Sequence, residues 1–351
     1  MTFTHKVKDI LMRQSLGVHR HLISLACFLG SLSFAWGQST GTNDLAEAAK
    51  CYTAGKFDCT ISILSKVAAQ PMEPAQQQEV CHWLGRSYAA KEELENATKT
   101  LMKLVAIDPP KYTLNPEEET QKFMNAYYAA LKQVKGDTQI DAPEPGIQTM
   151  AVLDFSNRLV GSDQANYDPL QLGLADDLLL RLDGATKLKL VERERISWIL
   201  DEIDLENDPG RFDAETAVRI GKQLGVHLVV FGSFVGFTDN MKLTARMVKV
   251  ETSEIIATAE AAGEIENFFE LNDELAKRIL ERIETEVPDS AMKAGTRTRS
   301  LEAELAYSAG VDLAAKGHYL PALEKFMLAL KHDPDFERAK KRAEAIKPLV
   351  G

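Results

Sequence analysis

The chain has 351 residues and a formal net charge of −11. Its composition, 45% hydrophobic and 26% charged, is that of a folded protein with room for two or three domains, and excludes wholesale disorder or a collagen-like repeat. The acidity excludes a nucleic-acid binder working through phosphate contacts, and four cysteines are too few for a disulfide scaffold.

Leu22 to Trp36 form an uncharged apolar run. It is too short for a permanent membrane span and suits the core of a signal peptide. Arg13 and Arg20 precede it, and Ala35 and Gly37 are small residues where signal peptidase needs them. The expected leader is residues 1–37, with cleavage after Gly37 and Met12 as a second candidate start. Cys27 is the alternative lipidation point, but Ser24 stands where a lipobox has Leu. Cleavage removes Lys6, Lys8, Arg13, Arg20 and Asp9, so the remainder is more acidic than the precursor. An exported chain meets oxidising conditions. Cys51, Cys59 and Cys81 all fall at apolar places of a helical pattern, which favours core packing, with a Cys51–Cys59 bridge as the alternative.

Residues 38–135 show helix-period apolar spacing. Leu84, Gly85, Tyr88, Ala97, Leu101 and Pro109 fall at the offsets of a tetratricopeptide repeat, and Ala48, Gly55, Phe57, Leu64 and Pro71 outline a unit before it. Residues 301–351 match the pattern best, through Ala306, Gly310, Leu313, Gly317, Tyr319, Ala322, Phe326, Ala329 and Pro334, followed by a capping helix over Phe336–Ala345. Gly310 and Ala322 are expected where two helices touch, Gly317 at the turn between them, and Pro334 past the second. One such pair cannot bury its face alone, so it must lean on the other arm, the middle domain or a second subunit. Repeat register places Tyr52, Glu79, His82, Arg86, Glu304 and Tyr307 on the groove that would bind a peptide or protein partner.

Linkers over 136–147, with two prolines and two glycines, and over 288–300, with Pro288 and Gly295, bound a middle α/β domain at 148–287. Strands are expected over Thr149–Phe155, Lys187–Glu192, His227–Phe234, Met241–Val250 and Ile255–Glu260. Helices are expected over Leu170–Leu182, Glu194–Ile203, Ala214–Leu224 and Phe268–Ile283, with Asp213 as an N-cap and Gly225 past a helix end. The fold class is thus a mixed sheet with packed helices, flanked by all-α tetratricopeptide-repeat arms.

Four blocks occur in order in this domain: Ala151-Val-Leu-Asp-Phe155, Gly173-Leu-Ala-Asp-Asp177, Leu190-Val-Glu-Arg193 with Ile199-Leu-Asp-Glu202, and Ala217 to Ser233 around Ile220-Gly-Lys222 and Gly225-Val-His-Leu. Together they resemble the curli production assembly/transport (CsgG) domain family, over less than half the chain. The resemblance implies an exported envelope protein, periplasmic or peripherally associated with the outer membrane. Relatives of this fold include the N-terminal domain of TolB-like proteins and some lipoprotein activators of cell-wall synthases. It does not imply a pore: a barrel hairpin needs about 20 residues of alternating pattern. The connection Gly236–Asn240 is far shorter, and Ser156–Pro169 is polar.

No phosphate loop, dinucleotide fingerprint, nucleophile elbow or zinc helix is present in the sequence. Asp176 and Asp177 point about 100° apart on a helix and read as a charged face, one of them pairing Arg181. Glu192, Arg193, Glu194 and Arg195 alternate in sign at a strand-to-helix junction, as an internal ion-paired turn or a contact between subunits of a homo-oligomer. Asp154 ends the first strand, where α/β folds place ligands, but is a single carboxylate. The expectation is a non-enzymatic envelope scaffold with no cofactor and no metal, binding envelope proteins or peptides, with no nucleic acid and no transmembrane segment after cleavage. The alternative is a subunit of a curli-type outer-membrane secretion channel.

Overall fold

A computed structural model describes residues 38–107, 114–136, 146–161, 164–183, 187–202, 212–237, 240–283 and 298–350. The expected leader, Cys27 included, and most of both expected linkers lie outside the described residues.

Helices α1 (Gln38–Thr53), α2 (Phe57–Ala68), α3 (Pro74–Ala90), α4 (Leu94–Val105) and α5 (Gln121–Lys135) come first. Gly55 takes φ 70° in the turn after α1, a conformation that side-chain-bearing residues avoid. Small residues permit the close helix contacts the spacing predicts. A Cβ on Gly85 would lie 2.8 Å from Leu101 Cδ2, so α3 and α4 touch there. Thr120 caps α5 by accepting from the Phe123 N–H at 3.2 Å, and Gly136 ends it at φ 75°.

Core packing for all three cysteines is corrected here. The turn at Gly55 folds the end of α1 beside the start of α2, and Cys51 and Cys59 form a disulfide, their Cα atoms 5.9 Å apart. Cys81 is a buried free thiol, and burial raises its pKa to about 11. Closing so short a loop is worth about 2–3 kcal/mol by chain entropy. Reduction should therefore lower the urea midpoint of the helical arm, measured by circular dichroism with and without a phosphine reductant. An unchanged midpoint would show that the bridge adds nothing.

The sheet contains β1 (Gln148–Val160), β2 (Leu188–Leu190), β3 (Leu228–Phe237), β4 (Asn240–Lys249) and β5 (Glu254–Glu264), in the order β2-β1-β3-β4-β5. β1 is parallel to β2 and β3, while β3, β4 and β5 run antiparallel. Helices α6 (Leu170–Leu182), α7 (Arg193–Glu202), α8 (Ala214–Leu224) and α9 (Phe268–Arg282) cover it. On one face Met150, Val152, Phe155, Phe234, Leu243 and Met247 pack against Leu174 and Leu178 of α6 and Phe268 and Leu275 of α9. On the other, Ala151, Leu153, Val229 and Phe231 meet Ile196 of α7 and Ile220 of α8. That second core continues into Leu101 of α4 and Phe123 and Tyr128 of α5, so the N-terminal helices extend the core of the sheet. The Thr216 N–H donates to Asp213 Oδ1 at 2.8 Å, and Gly225 takes φ 68°, so both ends of α8 stop where the sequence predicts.

β1 and β5 run past their expected ends at Phe155 and Glu260, to Val160 and Glu264. Ala261, Ala262 and Gly263 are weak strand formers, and pairing with β4 holds them extended. β3 and β4 pair up to Phe237 opposite Asn240, so two residues connect them and no membrane hairpin is inserted there. Among the described residues, no helix is long and apolar enough to cross a membrane.

Three helices close the chain: α10 (Leu301–Ala315), α11 (Tyr319–His332) and α12 (Glu337–Ile346). The Ser300 hydroxyl caps α10 by accepting from the Ala303 N–H at 3.2 Å. A Cβ on Gly310 would come within 2.7 Å of the Phe326 ring, the close approach expected at that position. Tyr307, Ala322, Phe326, Phe336 and Ala339 make their core.

Candidate functional site

Residues from three of the four sequence blocks of the middle region, Asp154, Asp176 and Arg193, meet at one place, a buried junction of charges where the sheet meets both sets of helices. Pairing of β1 with β3 shifts register between Val152 and Phe155, so Leu153 and Asp154 occupy a bulge. The bulge turns the Asp154 carboxylate onto the guanidinium of Arg193, the first residue of α7. Arg193 also lies 4.0 Å from Asp176 of α6. Asp176 accepts from Arg338 of α12 at 3.1 Å. One residue on, Asp177 points away and pairs with Arg181 at 2.7 Å and with the Asn272 amide at 2.7 Å. Arg181 also reaches Asp273 at 2.6 Å and donates to the Phe269 carbonyl, tying α6 to α9.

One correction follows. Asp176 and Asp177 are not a charged helix face: both are buried, because α9 covers one side of α6 and the C-terminal helices cover the other. The contact with the C-terminal helices depends on Gly173, where a Cβ would lie 2.3 Å from Ser308 Oγ and 3.1 Å from Glu304 Oε1. Gly173→Ala should destabilise the chain by about 1–3 kcal/mol through overpacking. Adding Ser308→Ala should recover part of that loss, since it removes the nearest atom. Urea unfolding of both single variants and the double variant measures the coupling, and strict additivity would count against a direct contact.

The run Glu192, Arg193, Glu194 and Arg195 finds partners inside the chain, while Glu192 stays exposed. Glu192 accepts from the Tyr128 hydroxyl at 3.0 Å. Glu194 is buried against Arg342 of α12, and Arg195 is half-buried at the same turn. Arg342 also donates to the carbonyls of Pro116 and Glu119 at 3.3 and 3.2 Å. One α12 arginine thus joins the N-terminal helices, the middle region and the C-terminal helices. The two arms meet elsewhere as well: Lys122 Nζ lies 5.7 Å from the Tyr319 ring centroid, and a Cβ on Gly55 would lie 3.0 Å from the Pro348 carbonyl.

Of the six expected groove residues, Tyr52, His82, Glu304 and Tyr307 are buried, at 3%, 4%, 3% and 0% exposure. Arg86 is half-buried and Glu79 is exposed. The repeat register assumed an open concave face, whereas neighbouring segments fill it. His82 Nε2 lies 2.7 Å from Glu119, and Arg86 stacks on Tyr52 and Trp83 while reaching Glu119 at 3.0 Å. Tyr307 packs on Phe326 and Phe336 with Arg338 over its ring at 4.9 Å.

Electrostatically, the junction is costly. Burial pushes the Glu304 carboxyl up to about 8, nearby Asp177 and Asp176 add to the rise, and Arg338 and the Ser308 hydroxyl oppose it. Burial also raises Asp154, against the attraction of Arg193. The signals of this site in the sequence were the acidic pair inside the apolar run Leu170–Leu182, the charged run Glu192–Arg195 and Asp154 at the end of a strand. Nothing local marked Arg338, Arg342 or Glu119, whose partners lie far away in sequence.

Among the described residues no group of three or more His, Cys, Asp or Glu side chains is arranged to hold a metal ion. A cavity of about 310 Å³ between α3 and α4, lined by Met72, Val80, Cys81 and Leu84 among others, lies away from the junction.

Comparison with known protein families and with curated proteins finds no match. Solved structures do show likenesses. The LpoB C-terminal domain from Salmonella enterica is 22% identical, over 40% of this chain and 95% of that one, with a TM-score of 0.26. The LpoB C-terminal domain from Escherichia coli is 19% identical, over 43% and 99%, at 0.26. A hypothetical protein, CT253, from Chlamydia trachomatis is 13% identical, over 39% and 96%, at 0.27. TM-scores this low assign this chain neither a fold family nor a function.

Proposed function

We propose that this chain is a non-enzymatic scaffold of the bacterial cell envelope, exported and periplasmic or peripherally associated with the outer membrane. In this reading the middle region is a CsgG-like domain and the flanking helix pairs are tetratricopeptide-like arms that bind envelope proteins or peptides. They would serve a secretion, motility or surface-fibre machine. The observation that carries the reading is the junction itself. Asp154, Asp176, Arg193 and Glu194 are engaged in joining the sheet to both sets of helices, which suits one rigid platform for partners. The Cys51–Cys59 disulfide supports export, because such bonds persist in oxidising compartments. Crosslinking in cells, followed by fractionation and identification of the captured proteins, tests it. The expected result is an envelope-fraction protein crosslinked to components of one envelope machine. A cytoplasmic pool with reduced Cys51 and Cys59 would overturn it.

A further inference from the structure

The second face of the sheet is covered along only part of its length. α7 and α8 pack over Ala151, Val229 and Phe231, and beyond them the strands continue with exposed side chains. Arg158 of β1 stands opposite Val235 of β3, which stands opposite Lys242 of β4. Val160 lies two residues beyond Arg158, and Arg246 lies on the same side of β4 as Lys242. Val160 is 64% exposed and Val235 is 40% exposed, unusual for apolar residues on a solvated sheet face. Lys242 pairs with Glu260 at 2.9 Å, whereas neither Arg158 nor Arg246 has an ion-pair partner among the described residues. On a chain with 52 acidic and 41 basic side chains, two unmatched arginines beside two exposed valines form a local exception.

We propose that this open sheet face docks an extended, acidic segment of a partner protein. Carboxylates of the segment meet Arg158 and Arg246, and apolar side chains at the Arg158 end cover Val235 beside it and Val160 beyond it. The spacing suits such a segment. Strands lie about 4.8 Å apart and alternate residues about 7 Å apart, so Arg158 and Arg246 are separated by roughly 16 Å, about the span of a five-residue extended stretch. An arginine fork pairs with carboxylates in two parallel hydrogen bonds. A lipid surface fits less well. Membrane-surface binding uses long apolar and aromatic anchors with clustered cations, while this face offers two valines and, among the described residues, no aromatic anchor. The inference goes beyond the scaffold reading, because it places a partner on the sheet rather than on the helical arms.

The test uses the purified full chain and a fluorescein-labelled ten-residue peptide of alternating Glu and Val. Fluorescence anisotropy should show saturable binding that weakens at least tenfold in 0.5 M salt. Arg158→Glu with Arg246→Glu should abolish it while the circular dichroism spectrum stays unchanged. An alternating Lys and Val peptide should not bind. Arg219→Glu, which changes an exposed arginine on α8 that the proposed contact does not use, should leave binding intact. Equal binding by wild type and the double variant, or no binding by wild type, overturns the proposal. Binding to phosphatidylglycerol vesicles but not to the acidic peptide would assign the face to lipid and also overturn it. Salt-sensitive self-association in sedimentation velocity, lost in the double variant, would assign it to a second copy instead.

Discussion

Arg193→Leu is expected to lower the free energy of unfolding by about 3–5 kcal/mol, the range for a buried ion pair that loses one partner. Arg193 is nearly buried, and its guanidinium is the ion partner of Asp154 in the β1 bulge. Asp176 would keep Arg338, so the loss falls mainly on Asp154, whose carboxyl is already raised by burial. The design includes its own rescue. Asp154→Leu in the same chain should recover a large part of the loss, because two apolar groups in place of a buried pair leave no unpaired charge. Urea unfolding at pH 7, followed by the fluorescence of buried Trp198 on the same helix, measures both. A single variant as stable as wild type, or a double variant as unstable as the single, would mean that the pair does not hold the junction.

Glu304→Gln is expected to act in the opposite direction. The Glu304 carboxyl has an ordinary pKa of 4.5 and is pushed to about 8 in the folded chain, first by burial and then by Asp177 and Asp176. The folded state therefore holds a proton that the unfolded state has released between those two values. Its contribution to stability is fully present below pH 4.5 and is lost as the pH rises through about 8. Glutamine removes the titration while keeping the shape, and its oxygen can still accept from Ser308. The variant should match wild type near pH 4.5 and exceed it by a few kcal/mol at pH 8.5. Thermal unfolding of both proteins across that range reads the difference, and parallel stability profiles would refute the buried, protonated state. The groups facing Glu304 are Asp176 and Asp177 from α6, Arg338 from α12 and Ser308 from its own helix, so the comparison with the variant isolates its slope from theirs.

Local signals in the sequence went far toward the fold. The helices over Leu170–Leu182 and Ala214–Leu224 have the predicted bounds, because apolar spacing, an aspartate cap and a terminal glycine all act within a few residues. Met241, Leu243, Ala245 and Met247 are buried as their alternation with Lys242, Thr244 and Arg246 requires. Close packing at Gly310 was likewise legible, since a glycine aligned with a later aromatic ring at repeat spacing leaves few other readings. The groove residues were misplaced for the converse reason. Helix register tells which side a residue faces, and it says nothing about what comes to cover that side. Tyr307 has the predicted register and is nevertheless fully buried.

By itself, then, the sequence determined the element order, the mixed α/β class of the middle region and the positions of its charged blocks. These depend on periodicity, capping and turn chemistry, all short in range. Only the tertiary structure decided that Asp154 meets Arg193, that Asp176 meets Arg338 across 162 residues, and that Arg342 links the two arms. A charged side chain on a helix has the same local pattern whether it faces water or a distant partner. Which of these applies depends on how the packed elements close over it, and no local window of sequence contains that information.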